Sequence, residues 1–300
     1  MGKMRMSTLR IMVSRHSAFY SPLLGAIAGG FFKDEGFEST YAVVPMGRTV
    51  AQYVASGDID VAQSAVSASW TALEQGRQPP LVHFAQINQR DGFLIAARGA
   101  GSGFQWDKLL SGSFMFVHGG QPEAMLTYAM HLRGLDLSKA KGLDGGDTGQ
   151  MLNAFRAGQG DWFHEQAPYP QQLEYEGVAQ VVASVGEVIG PVAFSSVAAS
   201  SEWLRRPEAK RFMRAYRKAR AWVNSATPAE IAVAEQSMFP AIHRTALTRA
   251  IEYYQRLGTW DGGASIPAEP YETALDVFSH AKLITRRYRY DQVVVAPPDA

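Results

Sequence analysis

The stretch TVAQYVASGDIDV, residues 49–61, decides the reading of the fold, because QMLNAFRAGQGDW, residues 150–162, lies over it at an offset of 101 residues. Val50 matches Met151, Val54 matches Phe155, Gly57 matches Gly158 and Asp60 matches Asp161. Each copy reads as an amphipathic helix closed by a glycine, with a strand opening around the aspartate that follows. Glycine suits the end of such a helix because it enters the left-handed cap without a Cβ clash. A unit used twice predicts two similar α/β lobes.

The flanking pattern agrees with that reading. Leu9–Ser14 reads as a strand, the spacing of Leu23, Leu24, Ile27, Phe31 and Phe32 predicts a helix from Ser21 to near Gly36, and Thr40–Val44 reads as a second strand. Thr49–Ser56 is a helix, Ile59–Gln63 a strand, and Ser67–Glu74 a helix ending at Gly76. Strands alternating with single helices predict a parallel sheet covered on both faces. After Pro79-Pro80, Leu81–Ala97 reads as one long strand with a polar waist (Gln86, Asn88, Gln89, Arg90, Asp91), the pattern expected of a crossing between lobes. The order then restarts with a short helix at Trp106–Leu110, a strand at Ser113–Val117 and a helix at Pro122–Leu132 entered through His118-Gly119-Gly120-Gln121. Val178–Ala183 and Val188–Ser196 read as strands, the second returning to the first lobe. From Ser200 the chain reads as helical: Glu202–Ser225, Pro228–Met238, Ala246–Leu257 and Pro270–Tyr288, followed by a loose tail at Val293–Ala300.

Composition narrows the chemistry. A chain of 300 residues with 46% hydrophobic content supports a large core or two domains. Lys plus Arg at 29 against Asp plus Glu at 28 leaves +1, which gives a nucleic-acid partner no support. Zero cysteines exclude disulfides, Cys-ligated zinc, iron–sulfur clusters and a thiolate nucleophile. Leu23–Phe32 is the longest mostly apolar stretch and falls well short of the roughly 20 residues that span a bilayer. Met1–Arg10 lacks the apolar region and cleavage site of a secretory leader. A cytoplasmic protein is therefore expected if Met1 is the native start, and a periplasmic or otherwise extracytoplasmic one if a leader has been removed.

Enzyme motifs fail on inspection. Gly99–Gly103 has Phe104 where a dinucleotide loop needs its last glycine and no following Lys-Ser/Thr, so it reads as a turn. His164-Glu165 starts like a zinc-protease helix, but Pro168 stands in the second histidine's place, and there is no G-x-S-x-G elbow. The basic run within Glu202–Arg220 reads as a solvated face whose other side (Leu204, Phe212, Met213, Tyr216, Ala219) packs on the core. No metal, cofactor or catalytic residue is expected.

The candidate site is a set of loops leaving strand C-termini, where open α/β sheets bind ligands: Arg15–Tyr20, Ser64–Ser67, His118–Gln121 and Phe163–Tyr169. Helix N-termini there suit an anion or a carbonyl. Phe19, Tyr20, Phe163 and Tyr169 are candidate walls, Glu165 and Glu187 candidate anchors for an amine, and Arg15, His16 and Arg90 candidate anchors for an acidic group. Ser64, His118, Gly119, Gly120 and Gln121 complete the candidate ligand-binding set.

The order of these features resembles the nitrate, sulfonate, taurine and thiamine-precursor binding proteins of ABC importers, a group related to thiamine-pyrimidine synthases. The matching residues are Ala26–Phe32 with Gly30-Phe31-Phe32, Lys33–Phe37, Ala55–Val61, Gly158–Asp161 and Pro168-Tyr169, with the similarity running over about residues 8–290. The resemblance implies an α/β chain of two Rossmann-like lobes joined by crossing hinge strands, the type II periplasmic-binding-protein fold, with a helical C-terminal third. It also implies lobe I at 1–88 plus 192–300, lobe II at 89–191, hinges at Leu81–Ala97 and Val188–Ser196, and closure on a small molecule for delivery to an importer permease. Ala167 stands where sulfonate binders often carry an acidic residue, and Phe19-Tyr20 where pyrimidine binders tend to carry Asn-His-type residues. An amino-heterocycle of the thiamine-precursor sort is the expected ligand, since two glutamates would repel a sulfonate, and a small anion of the sulfonate or nitrate type is the alternative ligand. The alternative is a cytoplasmic enzyme on the same fold with Glu165 as general base. Glu165, read as a loop residue, is expected to be replaceable without loss of the fold.

Overall fold

The computed structural model describes residues 6–99, 101 and 103–299. Its strands are β1 (Ser7–Val13), β2 (Phe37–Val43), β3 (Val61–Ser64), β4 (Val82–Gln86), β5 (Phe93–Arg98), β6 (Ser113–Met115), β7 (Lys141–Leu143), β8 (Trp162–Gln166), β9 (Ala179–Ser184) and β10 (Ser196–Ala199). They form two five-stranded sheets, in the orders β2-β1-β3-β10-β4 and β7-β6-β8-β5-β9.

The repeat around residues 49 and 150 holds in three dimensions at its glycine and aspartate, while the second helix begins three residues earlier than that register places it. Thr49 caps the helix Val50–Ala55 in a reciprocal box with Gln52, and Asp147 caps Thr148–Arg156 in the same way with Gln150. Gly57 and Gly158 both take positive φ, 72° and 95°. The two aspartates then do the same job in their own lobes: Asp60 accepts from the Arg10 backbone N–H (2.9 Å) while its own N–H donates to Arg10 O (2.9 Å). Asp161 accepts from the Ser113 N–H (2.7 Å) while its N–H donates to Ser113 O (2.8 Å). Each therefore aligns the strand it precedes with the first parallel strand of its sheet, β3 beside β1 and β8 beside β6.

Both sheets are mixed rather than parallel. β1 pairs in parallel with β2 and β3, and β6 with β7 and β8. β10 runs antiparallel to β3 and β4, and β5 antiparallel to β8 and β9. The reason is the crossover: β5 and β10 each enter a sheet from the other lobe, β5 with no intervening helix and β10 after the short helix Val185–Ile189 and extended chain, and each takes the fourth place in its sheet.

The crossing segments also differ from the expected continuous strands. Leu81–Ala97 is split into β4 and β5 by residues 87–92, and Val188–Ser196 is the end of a helix, Val185–Ile189, followed by extended chain into β10. The two segments run side by side, with Ile87 N–H donating to Ser195 O, Val192 N–H to Gln89 O, and Ser195 N–H to Asn88 Oδ1. Arg220, buried on the long helix Pro207–Ser225, donates to the carbonyls of Gln86 and Ile87 and so holds the end of β4 where the strand stops. Tyr254 of the helix Arg244–Leu257 donates to Gly92 O (2.7 Å) and accepts from the Ala167 N–H (2.8 Å), so the helical third braces both lobes.

Other sequence expectations are shortened or broken. The helix from Ser21 stops at Ala28 and resumes at Phe31–Asp34, the 202–225 helix is interrupted before Pro207, the last helix is Ala268–His280, and residues 106–110 form a 3-10 turn. The tail is not loose: Val293 and Val294 are buried, and His83 N–H donates to Val293 O while Val295 N–H donates to His83 O. Residues 1–5, 100, 102 and 300, which fall within the N-terminal segment, the Gly99–Gly103 turn and the tail, lie outside the described residues. Among the described residues no helix is long and apolar enough to cross a membrane.

One buried acid lies inside the first crossing. Asp91 is fully buried, accepts from the Phe93 N–H through Oδ1, and has no partner for Oδ2 among the described residues. Burial raises its pKa to about 8 against the opposing pull of the Phe93 N–H. The folded chain thus keeps a proton that the unfolded chain releases near pH 4. Asp91's contribution is fully present below that pH and is lost as pH rises through about 8. The loss runs at about 1.4 kcal/mol per pH unit. Asp91→Asn is expected to be more stable than the parent at pH 8 and to remove this slope. Urea titrations of both proteins at pH 5, 7 and 9 check it, and parallel pH profiles would refute the assignment.

Candidate functional site

Between the lobes lies a cavity of about 380 Å³, lined by Ser14, Arg15 and Tyr20 after β1, by Gln63, Ser64 and Ala65 at the end of β3, by Gln121 and Pro122, by Phe93 and Gln166, and by Phe194 and Ser195 of the second crossing. Val44, Arg48, Thr49, Val50 and Ala68 complete its rim. The N-cap residues of the helices Val66–Glu74 and Gly120–Leu132 are Ala65 and Gly119, neither of which caps with a side chain. Two helix starts without a side-chain cap therefore lie at this region, where the dipole favours a negative charge, although the Gly119 N–H already donates to Glu123 Oε2 (2.5 Å). No carboxylate is among the lining residues.

Arg15 is the central side chain. Its Nη1 donates to both oxygens of Glu165 (2.8 Å each) and to Thr148 Oγ1 (3.0 Å), joining the first lobe to the second. The guanidinium carbon stands 5.7 Å from the Phe93 ring centroid. Desolvation works to lower the Arg15 pKa, but Glu165 outweighs it with help from Tyr20 and Tyr169, and the net shift is upward. Glu165 is completely buried on β8 and also accepts from Thr148 Oγ1 and from the Gln166 N–H. A bound, ionised arginine that borders the cavity is the result. Gln121 makes a second bridge, accepting from Ser67 Oγ (3.0 Å) and donating to Phe194 O (3.3 Å).

Arg15, Tyr20, Ser64 and Gln121 thus meet at one cavity, with Glu165 behind Arg15 rather than in the lining. The structure puts the other expected residues elsewhere. Phe19 is fully buried against Phe194 and Tyr254, and Gly92 packs on its ring so closely that a Cβ there would overlap it. Phe163 packs on Phe155 in a separate buried cluster and is outside the cavity lining. His16 spends both ring nitrogens locally: Nε2 donates to Met238 O, which leaves Nδ1 to accept from Tyr41 OH. Burial lowers its pKa despite the Met238 contact. Tyr169 donates to His16 O, another tie between lobes. Arg90 lies at the crossing beside Gly186, and Glu187 is exposed on the rear, accepting from Tyr253 OH. His118 stacks on Phe116 with Gly119 and Gly120 beside it, all three exposed and outside the cavity lining. The reading of Glu165 as a dispensable loop residue is overturned by its burial within a strand.

Sequence reasoning missed Ser14, Gln63, Gln166 and Ser195. Gln63 Oε1 accepts from both the N–H and the hydroxyl of Ser14, and its amide donates to Ser195 Oγ (3.3 Å). Gln166 is buried with Oε1 unpartnered among the described residues, and the hydroxyl of Tyr20 lies beside it; burial raises the Tyr20 pKa, with Arg15 pulling the other way. Their proximity to strand ends was the available signal.

Residues 16–236 match the model of the NMT1-like family. The chain belongs to that family. This NMT1-like chain is 26% identical over 293 residues to YtlA of Bacillus subtilis (strain 168), which carries a provisional binding-protein name; the match covers 96% of this chain and 88% of YtlA. Among solved structures it is similar to the alkanesulfonate-binding protein SsuA from Xanthomonas axonopodis pv. citri bound to MOPS, with a TM-score of 0.72 at 16% identity over 97% of this chain and 99% of the other. It is also similar to the periplasmic aliphatic sulphonate binding protein SsuA from Escherichia coli, with a TM-score of 0.71 at 14% identity over 98% and 93%. The chain therefore has the periplasmic-binding-protein fold, shared with solute-binding components of ABC import systems, as the resemblance implied.

Proposed function

We propose that this chain is a solute-binding protein that captures a small organic anion, a sulfonate or carboxylate, between its lobes and presents it to an ABC importer permease on the outer side of the membrane. The observation that carries this reading is Arg15. It belongs to the first lobe, is held by Glu165 and Thr148 of the second, and borders a cavity whose lining has two guanidinium groups and no carboxylate. A ligand that needs Arg15 in that position is bound only when the lobes are together, so capture and closure are linked. The lobes are 1–88 plus 192–300 and 89–191, with the paired crossings as hinges. Glu187 faces away and Glu165 is already engaged, so the amine anchors expected of an amino-heterocycle site are absent from the lining.

Gln166 Oε1 favours a second reading, a ligand that also carries an N–H, such as an aminopyrimidine. The enzyme alternative gains nothing from the geometry, because the Glu165 oxygens are occupied in holding Arg15. Thermal-shift screening against short sulfonates, carboxylates, nitrate and aminopyrimidines tests the proposal, with mass spectrometry of each mixture. A ligand at 100 times its Kd adds about 2.7 kcal/mol. Stabilisation by an unchanged anion is expected. Stabilisation by aminopyrimidines alone, or consumption of any compound, would overturn it.

A further inference from the structure

A separate cavity of about 290 Å³ shares no lining residue with the cleft. It opens where the helix Arg244–Leu257 packs against the helix Tyr169–Tyr175, which itself packs on the edge strand β9. Its volume is at the lower edge of the range, about 300–1,000 Å³, in which proteins hold small molecules. Gln171 and Glu174, three apart on the shorter helix, form one side with Val181 of β9. Arg249, Glu252 and Arg256, three and four apart on the longer helix, form the other. The observation that points to a ligand is Gln171. It is 2% exposed, borders the cavity, and neither its Nε2 nor its Oε1 has a partner among the described residues. A buried amide ordinarily has its hydrogen bonds made, because an unpaired donor or acceptor has given up water for nothing. The surrounding charges come in both signs. Glu174 is partly engaged, accepting from the Val181 N–H (3.2 Å) and standing 3.7 Å from Arg249. Glu252 and Arg256 are exposed and form no ion pair among the described residues.

We infer that this cavity is a second binding site and that its ligand is a small zwitterion of the free amino-acid class. In such a molecule the carboxylate and the ammonium sit on one carbon, so both can meet the Gln171 amide together: Nε2 donates to the carboxylate, and the ammonium donates to Oε1. Arg256 adds a charged donor to the carboxylate, and Glu252 a charged acceptor to the ammonium. A simple anion would leave Oε1 unpaired and face two carboxylates. A simple amine would leave Nε2 unpaired and face two guanidinium groups. The site is independent of the anion reading of the cleft.

The test titrates the common L-amino acids calorimetrically into the full chain and then, for each that binds, the amine and the carboxylic acid left when either charged group is deleted. At least one amino acid is expected to bind, with both of its halves weaker by about tenfold or more. Gln171→Leu removes the buried amide but keeps a side chain of similar size, and is expected to fold and to lose about tenfold or more in affinity for that amino acid. Arg256→Gln changes only an exposed side chain, so it reads the same site should Gln171→Leu fail to fold, and a loss of about tenfold is expected there too. An amino acid that binds the parent and these variants equally sits elsewhere and overturns the inference. So does a half-molecule that binds as well as the whole, or the failure of every amino acid to bind the parent. None of these results bears on the anion reading of the cleft.

Discussion

Arg15→Ala is expected to lower the melting temperature by on the order of 10 °C and to weaken anion capture by about tenfold to a hundredfold. The stability loss comes from what is left behind. Glu165 has no exposed surface, and without Arg15 its charge keeps only Thr148 and one backbone N–H. Removing one partner of a buried pair costs about 3–5 kcal/mol. Arg15 is 26% exposed, which places the loss toward the lower end of that range. Each kcal/mol moves the midpoint of a chain this size by roughly 2–4 °C. The affinity loss is the separate loss of a charged hydrogen bond to the ligand, about 1.5–3 kcal/mol.

The two effects separate in the double variant. Adding Glu165→Gln to Arg15→Ala removes the stranded charge, so most of the stability should return while binding stays weak. Circular-dichroism melts and calorimetry on the four proteins of this cycle read both quantities. A double variant that binds the anion as the parent does would show that Arg15 is only a strut between lobes.

The lobes were legible because their signals are local. Thr49, Gly57 and Asp60 carry out capping, chain reversal and strand alignment within a dozen residues, and the copy at 147–161 repeats the same three acts. The crossings were half legible: the polar waist at Gln86–Asp91 marked where the chain changes lobe, but the apolar residues on both sides made Leu81–Ala97 read as one unbroken strand. The break at residues 87–92 is imposed by Arg220 and Tyr254, more than 120 residues away in sequence. Val188 and Ile189 are β-branched and read as strand, but tertiary packing puts them in a helix. Of the candidate site, the charged and helix-start residues Arg15 and Gln121 could be found from position. Gln63, Gln166 and Ser195 had only their place near strand ends to mark them, because neutral polar residues there belong to no motif. Aromatic residues gave the poorest guide: nothing in the sequence says which side of a loop is cavity and which is core.

Phe19→Ala puts that last distinction to experiment. A cavity wall and a core residue respond differently to truncation. A ring facing the ligand would lose affinity at little cost in stability. Phe19 is instead enclosed by Tyr20, Phe194, Tyr254 and the flat face of Gly92, and its carbonyl accepts from Trp260 Nε1 (3.0 Å). These neighbours come from the first lobe, both crossings and the helical third, so they are fixed from several directions and will not collapse into the space left by the ring. Truncating a buried phenylalanine in such surroundings costs about 3–5 kcal/mol, a fall of on the order of 10 °C in melting temperature for this chain. Ligand affinity measured well below the melt should stay within a few-fold of the parent, because Tyr20, not Phe19, borders the cavity. A variant that melts with the parent but has lost its ligand would return Phe19 to the wall of the site and remove the packing argument that joins the β1 loop to the hinge.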